Sequence, residues 1–221
     1  MKIRYNAPVT LTFAITSFFI FFLDEVVFKN IDFTEYLFAV AGRLEFSFVS
    51  PLSIFTLFSH VLGHGSWSHL IGNLSYLLLL GPIAEEKLGS FKFFMMILIT
   101  AVVTGVINAI CFDTGLMGAS GIVFMLIIYL SIANISNDEI PLSFIFVVVL
   151  YLGGQLIQIW ENNSVSAFAH LTGGVIGGIF GLIDNTSEKK TPVQNKKINS
   201  KKKRDKNTKE GEFVDVDINE I

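Results

Sequence analysis

Six stretches of mostly apolar residues, each close to the roughly 20 that a helix needs to cross a bilayer, constrain this chain most. They fall at about 7–28, 67–84, 91–112, 119–135, 141–160 and 167–183. Lys2 and Arg4 precede the first, as in a signal peptide, but no small-x-small cleavage site follows, so an uncleaved first span is expected. A soluble globule is a poor alternative. Charged residues make up 16% of the chain, against about 25% in a typical soluble domain, and more than half of them lie in the last forty or so positions. The apolar remainder includes 22 phenylalanines. The reading is an all-α membrane protein, a six-transmembrane helical bundle over residues 1–184.

The segments between the spans differ in kind. Residues 29–66 form a long, weakly charged, Phe- and Leu-rich loop, expected to lie in or against the membrane interface. Pro141 suits the first turn of the fifth span. Residues 185–221 are polar and lysine-rich without helical periodicity, and read as a disordered tail. Its basic run fits topology control, with anionic-lipid attraction as a second reading. Of the 16 basic residues, a cytoplasmic N-terminus puts 14 inside and only Lys29 and Arg43 outside. The expected localisation is the cell membrane, multi-pass, with both termini cytoplasmic. The lone Cys111 excludes an intramolecular disulfide and reads as a buried small hydrophobe.

Polar side chains inside spans are costly and therefore informative. Ser120 opens span four within "GLMGASGIVF"; His69 and Asn73 lie in the first turns of span two, and His170 in the first turn of span six. All three spans run outside to inside, so these residues share one depth near the outer face. His69 and Asn73, four apart, share a helix face. In span six, Gly173, Gly177 and Gly181 form a small-residue ladder, with Gly174 and Gly178 offset by one, that permits close helix approach.

That set supports nucleophilic chemistry. A serine needs an adjacent base, which His170 can supply. The oxyanion that forms needs donors: the Asn73 amide, the His69 ring N–H, and the Ser120 backbone N–H at a helix N-terminus. Gly118 and Gly121 remove side chains that would obstruct a carbonyl. Asp184 is fourteen residues beyond His170, about 21 Å along a helix, at the wrong end of the span. Asp113 and Glu161 lie in loops on the correct side, and either could orient His170; a Ser–His dyad is expected rather than a triad.

The pattern resembles the rhomboid family of intramembrane serine proteases. The resemblance rests on "GASG" at 118–121, on "HGSWSHLIGN" with His64, His69 and Asn73, on "AHLTGGVIGG" with Ala169, His170, Gly173 and Gly177, and on "GPIAEEKLG" with Gly81, Glu85 and Gly89. It covers about residues 8–183. It implies a rhomboid-type bundle with Ser120 as nucleophile and His170 as base. It implies an oxyanion hole of His69, Asn73 and the Ser120 N–H. The implied partners are the lipid bilayer and single-span membrane proteins, cut near the outer end of their span; no nucleic acid is expected. A Tyr that commonly packs on the catalytic histidine is Phe124 here, which keeps the ring and loses the hydroxyl. The Trp–Arg pair that some bacterial members carry in the first loop is absent, the tryptophans being Trp67 and Trp160.

Two other readings compete. His60, His64 and His69 could suggest a metalloprotease, but "HVLGH" lacks the glutamate of a His-Glu-x-x-His base, so no metal and no cofactor are expected and His60 reads as an interfacial histidine. A catalytically inactive rhomboid-like protein that binds transmembrane clients is the alternative of another class; this chain retains both Ser120 and His170.

Overall fold

The computed structural model describes residues 5–28, 31, 33–133, 135, 142–154, 157 and 165–185. By packing, the chain divides after Leu182; the second unit is described only where its first three residues finish a helix. The tail expected at 185–221, apart from Asn185, lies outside the described residues, as do Pro141, Trp160 and Glu161.

The described structure is helical. α1 (Pro8–Val26) starts on a proline, which fits the first turn because it lacks the N–H left over there. Two short helices follow, α2 (Phe33–Phe38) and α3 (Pro51–Ser59), the latter extended by a 3₁₀ turn, His60–Leu62. Ser50 caps α3, its Oγ accepting from Ser53 N–H. The 29–66 loop is thus largely built structure. It also exposes Leu44 and Val49, at 80% and 91%.

α4 (Trp67–Leu88) begins at Ser66, whose Oγ accepts from the His69 N–H at 3.2 Å. It turns at Gly89 directly into α5 (Ser90–Cys111). α6 (Ser120–Ala133), α7 (Leu142–Val147, continued by a π turn, Val148–Leu152) and α8 (Val165–Asn185) complete the set. Among the described residues only α1, α5 and α8 are both long and apolar enough to cross a membrane. α4 has the length, but its ends carry Ser68, His69 and Asn73 on one side and Glu85, Glu86 and Lys87 on the other. α6 has 14 residues, about 21 Å at 1.5 Å per residue, short of a ~30 Å hydrocarbon core.

The shortness of α6 has a packing counterpart. Eleven of its residues are buried, Gly121–Leu126 and Tyr129 among them, so it is apolar all round and enclosed by protein. It forms the core with Leu77 of α4 and Met96 and Ile97 of α5. At its far end Lys87 donates to the Ala133 carbonyl at 3.1 Å, tying it to the last turn of α4.

Glu85 joins three elements at that same end. Its Oε1 accepts from Val9 N–H (2.9 Å) and Ser90 Oγ (2.7 Å), and its Oε2 from Thr10 N–H (3.0 Å) and Thr10 Oγ1 (2.9 Å). The carboxylate satisfies N–H groups at the start of α1 that the helix itself cannot pair. One expectation fails here: Cys111, the last residue of α5, is exposed rather than buried. The apolar run around it faces outward at that turn, and burial of its neighbour Asn108 takes the inward face instead.

Candidate active site

Gly118 has φ +125°, a conformation that disfavours any side chain, and a Cβ there would lie 2.6 Å from His69 Cε1. The His69 ring therefore covers the backbone two residues before Ser120. Gly118 N–H donates to the His60 carbonyl at 2.9 Å, which fixes the approach to α6. Ser120 is the first residue of α6, half-buried, with its N–H among those a helix N-terminus leaves unpaired.

α8 packs on α6 through its glycines. A Cβ at Gly173 would overlap the Gly121 carbonyl, and one at Gly177 the Met125 carbonyl; one at Gly181 would lie 2.8 Å from Ile132 Cβ. Only bare backbone permits that approach, and it holds for three successive turns. As a result the His170 ring stacks on Phe124, centroids 4.3 Å apart and planes within 7°. Phe124 stands one turn beyond Ser120, and His170 one residue beyond Ala169, whose carbonyl oxygen lies 3.4 Å from a Cβ built on Gly121. The turns that carry Ser120 and His170 are adjacent.

α4 supplies two more polar groups from the same region. Asn73 is 7% exposed, and its Nδ2 has no hydrogen-bond partner among the described residues. Next to His69, with ring centroids 5.1 Å apart, stands His64. Its Nδ1 lies 3.2 Å from the Leu62 carbonyl, which makes Nδ1 the protonated nitrogen and leaves Nε2, buried and unpartnered among the described residues, as an acceptor. Burial, and then the neighbouring His69, push the His64 imidazole down to about 4, so it is neutral at ordinary pH.

Other expectations need correction. His60 is enclosed by protein rather than open to its surroundings: it is 1% exposed, with Nδ1 on the Thr56 carbonyl at 3.1 Å and Nε2 3.4 Å from Thr104 Oγ1. Its 3₁₀ turn ends at Leu62 and Gly63 is extended, so His60 and His64 do not share a helical face. Asp113 forms a two-pronged pair with Arg43, Nε at 3.0 Å and Nη2 at 3.2 Å, rather than orienting His170.

That pair belongs to a docking the sequence did not reveal. Val40 and Leu116 exchange backbone hydrogen bonds at 2.9 Å, Arg43 N–H donates to the Phe112 carbonyl at 2.6 Å, and Asn108 Nδ2 reaches the Ala41 and Thr114 carbonyls. The first loop thus holds the 112–118 segment that delivers Ser120. Nothing in composition or periodicity marks these positions, because the contacts are mostly backbone to backbone.

The chain is similar to the rhomboid protease GlpG of three bacteria. It is 27% identical to that of Haemophilus influenzae over 134 residues, 59% of this chain and 70% of that protein. To that of Pectobacterium atrosepticum it is 26% identical over 181 residues, 80% of this chain and 63% of the other. To that of Salmonella paratyphi A it is 24% identical over 146 residues, 64% of this chain and 52% of the other. The chain thus spans between about half and seven-tenths of these relatives' lengths. The family model described as the rhomboid domain matches residues 51–186, from the start of α3 past the end of α8, and on that match this membrane protein belongs to the rhomboid family.

Proposed function

We propose that this chain is an intramembrane serine endopeptidase that uses a Ser120–His170 dyad. The observation that carries the reading is the α6–α8 contact: Gly173 against the Gly121 carbonyl, with the His170 ring stacked on Phe124 one turn beyond Ser120. In the proposed reaction Ser120 Oγ attacks a peptide carbonyl as His170 takes its proton. The tetrahedral oxyanion accepts hydrogen bonds from the Ser120 N–H, the Asn73 amide and the His69 ring. Collapse expels the amine, protonated by His170; a water, deprotonated by His170, then attacks the acyl-enzyme carbonyl, and breaking the bond to Oγ releases the acid and restores Ser120. The unpartnered Asn73 Nδ2 is the kind of donor this role requires.

The proposed topology has six spans with both termini cytoplasmic. α4 and α6 then run from the outer side inward. The proposed depth of Ser120, within the bilayer's thickness, is supported by α6 being only about 21 Å long and tied to α4 at its Ala133 end. The proposed substrates are single-span proteins cut near the outer end of the span. A helical peptide bond is shielded, so segments with Gly or Pro there should be preferred. Entry past α7 is the proposed route, supported by its π turn at Val148–Leu152 and by the absence, among the described residues, of any atom within 4 Å of a Cβ built on Gly153 or Gly154.

The test is turnover of a single-span substrate by purified protein, with active-serine labelling by a fluorophosphonate. Labelling should vanish in Ser120→Ala, and chelators should leave turnover intact. Labelling that survives Ser120→Ala would overturn the assignment. A client-binding phenotype that Ser120→Ala leaves unchanged would favour the inactive alternative.

A further inference from the structure

α5 ends at Cys111 and α6 begins at Ser120, and residues 112–119 join them without a helix of their own. The position of Ser120 therefore depends on what holds that segment, whose middle, Asp113 to Gly115, is exposed. We propose that the ion pair between Arg43 and Asp113 is a positioning clamp for Ser120: it holds the segment against the first loop and so sets where the serine and its N–H stand. Both are positioning residues, acting through the backbone between Asp113 and Ser120. The inference rests on the protease reading and adds two residues to it.

The pair is forked. Arg43 Nε lies 3.0 Å from Asp113 Oδ1 and Nη2 3.2 Å from Oδ2, a geometry that fixes direction as well as distance. Of the acids that line the surface recess here, Glu35, Glu45 and Asp113, the guanidinium is paired with the one on the segment. Backbone meets backbone at the same point: Arg43 N–H donates to the Phe112 carbonyl at 2.6 Å, and a Cβ on Gly42 would overlap the Asp113 carbonyl.

From the clamp the attachments run on toward the nucleophile. Leu116 and Val40 exchange bonds at 2.9 Å, Gly118 N–H donates to the His60 carbonyl at 2.9 Å, and Val123 N–H donates to the Ala119 carbonyl at 3.0 Å, opening α6. A slip of the segment would move Ser120 relative to His69, whose ring covers Gly118. The pair itself is half exposed, 53% and 56%, so it adds little to global stability. Its effect is expected on the rate, because a small displacement of a nucleophile costs the transition state more than it costs substrate binding.

The experiment measures kcat, KM and amide hydrogen exchange of residues 112–118 on the purified full chain. Arg43→Gln and Asp113→Asn should each lower kcat about 2–5-fold, the equivalent of one exposed pair, with KM and thermal midpoint nearly unchanged. Exchange at Leu116 and Gly118 should quicken by a similar factor. Exchanging the charges, Arg43→Asp with Asp113→Arg, should restore much of both. Arg43→Lys, which keeps the charge and loses the fork, should fall between. Raising salt from about 0.1 to about 1 M shortens the screening length from about 10 to about 3 Å and should narrow the gap between the parent and Arg43→Gln. Glu45→Gln, in the same recess and outside the pair, should change neither quantity. Normal kcat in both single variants, or a loss that exchanging the charges does not relieve, overturns the clamp. Faster amide exchange at unchanged kcat also overturns it, because the pair would then hold the segment without positioning Ser120. A parent chain that cleaves nothing sinks the protease reading instead, and amide exchange in Arg43→Gln still decides whether the pair holds the segment.

Discussion

At one end of α4 the buried Glu85 carboxylate accepts four hydrogen bonds, two from α1 backbone, one from Thr10 and one from Ser90. Near the other end the Asn73 amide nitrogen is equally enclosed and has no partner among the described residues. His64 Nε2, close by, is in the same condition. A buried donor or acceptor left unpaired costs about 1–3 kcal/mol. A helix that satisfies its buried carboxylate at one end and leaves a buried amide donor without a partner among the described residues at the other has two different tasks. The satisfied end locks α1, α4 and α5 together. The open Asn73 donor is costly unless another molecule supplies an acceptor, and a developing oxyanion is one that would.

Substitutions should therefore separate by end. The largest effect is expected at Ser120 and His170. Ser120→Ala or His170→Ala should lower turnover by about 10⁴–10⁶-fold. The thermal midpoint in detergent should not fall for Ser120→Ala, and for His170→Ala should fall only by what its stacking on Phe124 contributes, about 0.5–1.5 kcal/mol. A large drop in midpoint for Ser120→Ala would mean that the Ser120 end is structural after all.

Asn73→Ala comes next. If its amide donates to the oxyanion, kcat should fall about 10²–10³-fold, or about 2.7–4 kcal/mol, with KM nearly unchanged. Stability should hold or rise slightly, since the variant removes an unpaired buried donor. A destabilised but fully active protein would remove Asn73 from the site and erase the contrast with Glu85. Glu85→Ala should show the mirror image. It strands the Val9 and Thr10 N–H groups and should cost about 1–3 kcal/mol of stability, while turnover per folded molecule stays near normal. Unfolding and activity measured on one preparation decide both.

The contrast also explains what the sequence could convey. Ser120, His69, Asn73 and His170 stand out because a polar side chain in an apolar run has no cheap explanation. The α8 ladder was legible for a related reason: glycines at every fourth position leave backbone bare along one stripe, and that stripe meets α6. Other features leave no such trace. α2 and α3 are short and surrounded by apolar neighbours, so no periodic contrast marks them. His60 looked like part of a histidine cluster, yet its backbone carbonyl, not its ring, holds Gly118. Arg43 and Asp113 are 70 residues apart, and only the fold brings them together. The span estimate at 119–135 stopped close to the ends of α6, but apolarity alone could not say that this helix is too short to cross unaided.

The smallest effect is expected at Phe124, and it sharpens the comparison most finely because Phe124 is neither donor nor acceptor. Its ring lies flat on His170 at 4.3 Å. Such an aromatic pair contributes about 0.5–1.5 kcal/mol beyond its buried area, mainly by limiting the orientations the partner can adopt. For a general base, orientation enters the rate directly, since a proton must pass along one hydrogen bond. Phe124→Leu keeps an apolar side chain of similar reach and removes the flat face. Turnover should drop about 2–10-fold, the equivalent of that stacking energy. Phe124→Tyr keeps the face and adds a hydroxyl, and should stay within about twofold of the parent by the same reasoning. The midpoint should move little in either, so the loss in Phe124→Leu would be one of positioning. Equal rates for Leu and Phe would mean that the glycine contacts of α8 alone hold His170, and that the stacked ring is only packing.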